Sequence, residues 1–490
     1  MTTSVRSPRV GIIGAGMSGL CMATALRRAG ITDLTIYEKA DGVGGTWRDN
    51  TYPGLTCDVP SRFYQFSFAQ KSDWSHLFSP GAEIREYLAE VFQEFGLIGS
   101  IRFGTEIVRA TFTANGWRVF TAGGDVEEVD FLIAATGILH HPRYPQIEGL
   151  DRFGGSVFHS ARWNHEVASD DKRIAVVGSG STGVQIVCGL AGQASRVKLF
   201  QRSAQWIIPF PNPAYSRLAK ALQRFVPKMG SVTYHVYRAG FEFFAQALVK
   251  SGWRRRMLSA VCRAHLRTVR NPRLRRALTP DHQPMCRRLI ISSRFYRSIQ
   301  RPDVELVTTG IDHIVPEGIV TTDGRLHEAD VIVLATGFDA HAFMRPTALI
   351  GEDGITLDEA WRDGPRAHLT VSLPGFPNFF MLLGPHSPVG NYSLTAIAET
   401  QASYIVGWLQ RWRRREFDTV VPTQAATDRF NAEMQVALPD TVWATGCTSW
   451  YIGQDGNPEL WPWNPSQLRV RLGKIDLDDY HLRLQAASIA

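Results

Sequence analysis

Two glycine-rich loops, each directly behind a short apolar run, restrict this chain more than any other feature. Val10-Gly11-Ile12-Ile13 leads into Gly14-Ala15-Gly16-Met17-Ser18-Gly19, and Arg173-Ile174-Ala175-Val176-Val177 leads into Gly178-Ser179-Gly180-Ser181-Thr182-Gly183. Short apolar runs of this kind read as strands buried on both faces of a parallel sheet. The glycines permit a tight turn, close approach of backbone to a pyrophosphate, and tight packing of helix on strand. The helix that follows offers free N–H groups and the positive end of its dipole to that anion. The expectation is an α/β chain built on two Rossmann-like dinucleotide-binding units.

The two units are tuned oppositely. Leu34-Thr35-Ile36-Tyr37 reads as the second strand of the first unit, with Glu38 at its end. A carboxylate there accepts hydrogen bonds from ribose hydroxyls and repels a 2′-phosphate, so this unit takes FAD or NAD. Glu38 lies 24 residues after Gly14, and the same offset from Gly178 reaches Arg202, which precedes Ser203. An arginine there pairs with a 2′-phosphate through charge-assisted hydrogen bonds. The second unit is therefore expected to take NADPH. Each unit closes on a further apolar run with a tight turn, Leu132 to Gly137 and Ala329 to Asp339.

A length of 490 residues exceeds one ordinary domain, and 44% hydrophobic with 20% charged residues suits a globular chain with a large core. The balance of 53 basic against 46 acidic residues gives +7, with basic runs at 253–256 and 411–415. Such runs suit anionic partners, but both are taken here as solvated helix faces, and no nucleic acid is expected. Cysteines 21, 57, 188, 262, 286 and 447 form no C-x-x-C and no metal-ligand spacing, and they are too few for a disulfide scaffold. No metal is expected, and a reducing cytoplasm fits. The first strand begins close to Met1, which leaves no room for a secretory signal. No apolar run approaches the ~20 residues of a membrane span.

Between the two loops, Phe153, Gly155, His159 and Trp163 stand at the spacing F-x-G-x-x-x-H-x-x-x-W. This resembles the fingerprint of type I Baeyer–Villiger monooxygenases. The related flavin-containing monooxygenases carry Tyr where this chain has Trp163, and Asn164 stands where the family usually has Pro or Asp. Further stretches are similar to the family: Gly44-Gly45-Thr46-Trp47, Tyr52 to Asp58, Ala335-Thr336-Gly337-Phe338-Asp339, Met285 to Leu289, Pro374 to Phe380, and Ser449-Trp450-Tyr451. The resemblance implies FAD contacts at Gly45, Thr46, Trp47, Asp58 and Tyr64. It implies a catalytic Arg288 oriented by Asp58. It puts Arg287 where the family usually has a Lys on the 2′-phosphate, and makes His159 a hinge contact rather than a proton carrier. The implied reaction uses NADPH, FAD and O₂ to turn a ketone into an ester or lactone.

The expected organisation is a discontinuous FAD domain (1–145 and 339–490), an NADP domain (165–209 and 288–338), and an all-helical insertion (210–287). Within the insertion, Leu218, Leu222 and Phe225 recur at helical spacing, as do Phe241, Phe244 and Leu248, with Lys and Arg on the other faces. A basic amphipathic helix can touch a membrane; core packing with a solvated face is the reading adopted. Two other functions fit the same chain: a flavin-containing monooxygenase acting on sulfides or amines, and a non-catalytic dinucleotide sensor. A disulfide reductase of this architecture needs a paired-cysteine motif, which is missing.

Overall fold

The computed structural model describes residues 7–447, 449–453, 456 and 458–484, so the outer ends of the ranges 1–145 and 339–490 lie outside it. Val10–Ile13 (β1), Leu34–Tyr37 (β2), Ile101–Arg102 (β3) and Phe131–Ala134 (β4) form a parallel sheet in the order β4-β1-β2-β3. β1 and β4 are buried at every residue. The period-two alternation of strands explains how. Val10, Ile12, Phe131 and Ile133 join one core, with helix Met17–Arg28 (α1) and Trp408 of helix Leu394–Arg413. Ile13, Leu132 and Ala134 face the other way and meet Trp117, from a small antiparallel meander. Each such fully buried aliphatic side chain contributes about 1.5–3 kcal/mol.

The second unit repeats the plan. Ser156–His159 (β5), Arg173–Val177 (β6), Arg196–Phe200 (β7), Val304–Val307 (β8) and Val331–Leu334 (β9) form a parallel sheet in the order β8-β7-β6-β9-β5. Helix Ser181–Leu190 (α2) covers one face, and a second antiparallel meander, Ile311 to Glu328, lies on the other. Parallel neighbours need crossover connections; α2 supplies the one from β6 to β7, and the helical residues 210–287 lie within the one from β7 to β8. After β9 the chain returns to the first unit, where Phe379–Met381 (β10) pairs with β4 and completes its five strands.

The fingerprint segment is more than a connection. Its residues 156–159 form β5, at the edge of the second sheet next to β9. A Cβ at Gly155 would collide with the Asp330 carbonyl and the Phe153 ring, so only glycine lets the chain enter this strand.

Residues 210–287 are mostly helical: Arg217–Phe225 (α3), Met229–Val249 (α4), Trp253–Leu266 (α5) and a short turn at Pro272–Ala277. Ser216 caps α3 through the Ala219 N–H, a contribution of about 1 kcal/mol. The start of the insertion is tied to the first unit by Asn212, which bonds both the N–H and the carbonyl of Phe78. The expectation of core packing holds for Leu248, which is buried, but fails for α3. Leu218 and Phe225 are 70% and 73% exposed, and no residue of α3 is buried. The spacing marked a real apolar face, but nothing in the described chain covers it. The run at 254–256 is also more than a solvated face, since Arg255 bonds the carbonyls of Ala247 and Leu248 and so caps the C-terminus of α4.

Two cysteines far apart in sequence are joined: Cys286 and Cys447 form a disulfide across 161 residues, while Cys21, Cys57, Cys188 and Cys262 are buried free thiols. Counting cysteines excluded a disulfide framework but could not reveal this single bridge. Among the described residues no helix is long and apolar enough to cross a membrane.

Candidate active site

The two glycine loops face a common cleft. Gly14 and Gly178 take left-handed backbone (φ +106° and +115°), donate to the Tyr37 and Phe200 carbonyls, and turn the chain into α1 and α2. A Cβ at Gly19 would run into the Gly14 carbonyl, and one at Gly183 into the Gly178 carbonyl, so both helices sit as close to their strands as glycine permits.

A cavity of about 460 Å³ opens at these loops, within the range of cofactor sites. Gly14, Gly16, Ser18 and Glu38 line it together with Gly45, Thr46, Trp47, Asp58, Tyr64 and Arg288. The second loop contributes Gly180, Ser181 and Thr182. Gly19, Gly178, Ser179, Gly183, Arg202, Ser203 and Arg287 lie outside its wall, as do the four fingerprint residues. Glu38 is buried, and its two carboxylate oxygens accept from the N–H groups of Ala15 and Ala40. A carboxylate has capacity for more acceptor bonds than these two, so ribose hydroxyls fit beside them.

Arg288 and Asp58 form a bidentate pair. Nε donates to Oδ2 and Nη2 to Oδ1, both at 2.6 Å. Burial disfavours the charge on Arg288, but the Asp58 carboxylate and the neighbouring Tyr451 outweigh it and hold the guanidinium above its ordinary range. Trp47 donates from its indole N–H to the Tyr64 hydroxyl at 3.1 Å, and the two rings meet edge to face. This rigid aromatic corner and the fixed cation share one cavity.

Sequence counting misplaced one residue by a single step. The parallel registers set Tyr37 opposite Ile13 and Phe200 opposite Val177. Gln201, not Arg202, therefore occupies the place of Glu38. The crossover is one residue shorter in the second unit, where α2 has 10 residues against 12 in α1. Gln201 is buried and bonds the Ala277 carbonyl, while Arg202 is exposed one position further on. Beside it lies a group of polar side chains. Arg287 donates to the Ser203 hydroxyl at 2.7 Å, and the Ser179 hydroxyl donates to the Ser203 carbonyl. Burial lowers Arg287's hold on its proton; Asp281 opposes this and Arg202 adds to it. Among the described residues the buried Arg287 Nε–H has no hydrogen-bond partner. Two mutually repelling cations and a buried N–H donor form a place that suits an anion.

The family model described as pyridine nucleotide-disulphide oxidoreductase matches residues 11–237. An uncharacterized monooxygenase of Mycobacterium tuberculosis is 60% identical, over 98% of this chain and 97% of that one. A Baeyer–Villiger monooxygenase of Streptomyces coelicolor is 36% identical, over 97% of this chain and 92% of that one. The chain belongs to the Baeyer–Villiger monooxygenase family. The crystal structure of cyclohexanone monooxygenase from Rhodococcus sp. Phi1 bound to NADP⁺ is similar throughout, with TM-score 0.87 and 27% identity over 98% of this chain and all of that one.

Within this family member the linker's geometry is specific. The His159 Nδ1 accepts from the Ala161 N–H, so its Nε2–H is the one that reaches the Gly337 carbonyl at 3.1 Å. Burial pushes the imidazole below its ordinary range, with Arg162 acting the same way against the Gly337 carbonyl. A neutral, doubly bonded His159 packed edge-on against Phe338 is a structural pin between β5 and the turn after β9. Trp163 packs edge-on against Phe158. On the other side, Arg162 approaches Asp49 at 3.9 Å, and His165 bonds Thr51. The segment thus touches both units.

Three contacts around Arg288 escaped the sequence. Asn391, at φ +53°, bonds both the N–H and the carbonyl of Leu289 and so pins the backbone after Arg288. The Cys286–Cys447 bridge ties the residues before it to the segment carrying Trp450 and Tyr451. The Tyr451 hydroxyl is buried without a well-aligned partner and close enough to Arg288 for each to shift the other's ionisation. The Gly390-Asn391 pair, a common left-handed turn sequence, was the one local sign of the first.

Proposed function

We propose that this chain is an FAD- and NADPH-dependent Baeyer–Villiger monooxygenase that converts a ketone into an ester or lactone around a fixed Arg288 cation. In this reading residues 1–145 with 339–490 hold FAD, residues 165–209 with 288–338 hold NADPH, and residues 210–287 form the helical insertion beside them. Bound FAD, reduced by NADPH, supplies the oxygen activated from O₂.

The protein's own part is binding, orientation and charge. The Gly14–Gly19 loop and Glu38 receive the adenosine half of FAD. Gly45, Thr46, Trp47, Asp58 and Tyr64 form the wall beside its ring. The Gly178–Gly183 loop receives the pyrophosphate of NADPH, and Arg202, Ser203 and Arg287 receive its 2′-phosphate. Arg288 places a permanent positive charge where negative charge grows on oxygen as the ketone is attacked, and preorganised charge of this kind is commonly the largest catalytic term. Asp58 holds the guanidinium by both oxygens, so no reorganisation is needed during the reaction.

The bidentate Arg288–Asp58 pair in the wall of the cavity supports this reading most directly. Arg288→Ala tests it. The variant should still reduce its flavin with NADPH but release no ester from a ketone panel. Ester formation at the wild-type rate would remove Arg288 from the mechanism. A thioether offered beside the ketone identifies the sulfide-oxidising alternative by its sulfoxide.

A further inference from the structure

We propose that the helical insertion docks the protein on the surface of an anionic lipid bilayer. The first observation is charge segregation. Residues 210–287 contain 16 Lys and Arg against two acidic residues, Glu242 and Asp281, whereas the rest of the chain has 37 against 44. A chain of modest net charge therefore keeps a strongly cationic segment on an otherwise anionic body.

The second observation is apolar exposure in the same place. Of the 22 large hydrophobic side chains exposed among the described residues, 11 fall between Phe210 and Val261. Nine of them form a stripe on each of three consecutive helices, three residues to each. On α3, Leu218, Leu222 and Phe225 fall within about 60° of one another on a helix of 100° per residue. Arg217 and Arg224 fall about 80° and 100° from Phe225, along one flank of that stripe, and Lys220 is opposite it. On α4, Val232, Val236 and Phe243 fall within about 40° by the same spacing, and all three are exposed. On α5, Trp253, Met257 and Val261 continue the pattern.

The helices are neighbours. Gln223 of α3 bonds Thr233 of α4, and the Phe243 ring of α4 meets the Trp253 ring of α5. Arg254 lies over both rings, at 4.5 and 5.0 Å. Apolar side chains flanked by Lys and Arg, with an exposed Trp, are the composition of helices that lie in a membrane interface. No helix among the described residues can span a bilayer, so the contact is with its surface.

Charge decides the occupant. A second copy meeting this face symmetrically would bring two strongly cationic surfaces together. A nucleic acid would satisfy the cations and leave the apolar stripes in water. An anionic bilayer satisfies both.

Vesicle co-sedimentation of the intact protein tests this. Partition into vesicles containing equal phosphatidylglycerol and phosphatidylcholine should exceed that into pure phosphatidylcholine at least tenfold, since each cation near an anionic surface adds roughly fivefold. High salt should weaken the partition. Leu218→Ser with Phe225→Ser, and separately Trp253→Ser with Met257→Ser, should each reduce binding about tenfold or more. All four side chains are exposed and lie outside the cavity, so NADPH turnover on a water-soluble ketone should not change. Equal partition into both vesicle types overturns the proposal. So does light scattering that shows a dimer lost in the same variants when no vesicle binding is seen.

Discussion

Replacing Asp58 by Asn probes the charge pair with little change in volume. The amide removes the negative charge and turns one acceptor into a donor that faces an Arg288 N–H, so both bonds at 2.6 Å cannot persist. Unit charges about 4 Å apart interact by about 4 kcal/mol at an effective dielectric of about 20. The side chains retain 26% and 21% exposure, so solvent screens part of this. About 2 kcal/mol remains as a working figure, which is about 30-fold in rate if the lost orientation is expressed in the transition state. The assay is ester formed per NADPH consumed, with anaerobic flavin reduction followed separately. Reduction should keep its wild-type rate, while kcat/KM for the ketone falls about 30-fold and the ester yield per NADPH drops. Asp58→Glu, which keeps the charge, should recover part of the loss. An Asn variant with ester yield and kcat/KM within about twofold of wild type would refute the positioning role.

Two further outcomes follow from other parts of the structure. Arg202→Ala should raise KM for NADPH about 10- to 100-fold, the value of one charged hydrogen bond, and leave NADH within about twofold; parallel loss with both nucleotides would show that Arg202 does not read the 2′-phosphate. His368 is buried, and that burial, against the pull of Asp479, lowers its imidazole to about 4 from an ordinary 6.5. The unfolded chain therefore binds the proton first, so this residue's contribution to stability is complete above pH 6.5 and is lost between pH 6.5 and about 4. The slope is at most about 1.4 kcal/mol per pH unit. Denaturant titrations of wild type and His368→Gln across that range should diverge, and identical slopes would contradict the assignment.

Some miscounts are as informative as the agreements. The second-strand offset gave Arg202 the place that Gln201 occupies, because crossover length differs between the units by one residue, and composition does not reveal helix length to that accuracy. The apolar spacing of Leu218, Leu222 and Phe225 marked a true helix face, yet the assumption that such a face finds a core failed. Spacing reports which residues share a side, and burial depends on what lies opposite.

Local chemistry was readable from the chain alone: strands buried on both faces, turns that need glycine at Gly14 and Gly178, helix starts, and a carboxylate at Glu38. These depend on interactions within a few residues, and the residue types leave few options. The contacts that fix the backbone on either side of Arg288 are of another kind. Asn391 lies 102 residues from Leu289, which it bonds, and Cys447 lies 161 residues from its partner Cys286. They meet these neighbours of Arg288 only because the chain leaves the first sheet at β4, builds a second one, and returns at β10. Side chains so far apart become partners through the path of the backbone between them, which no local pattern encodes.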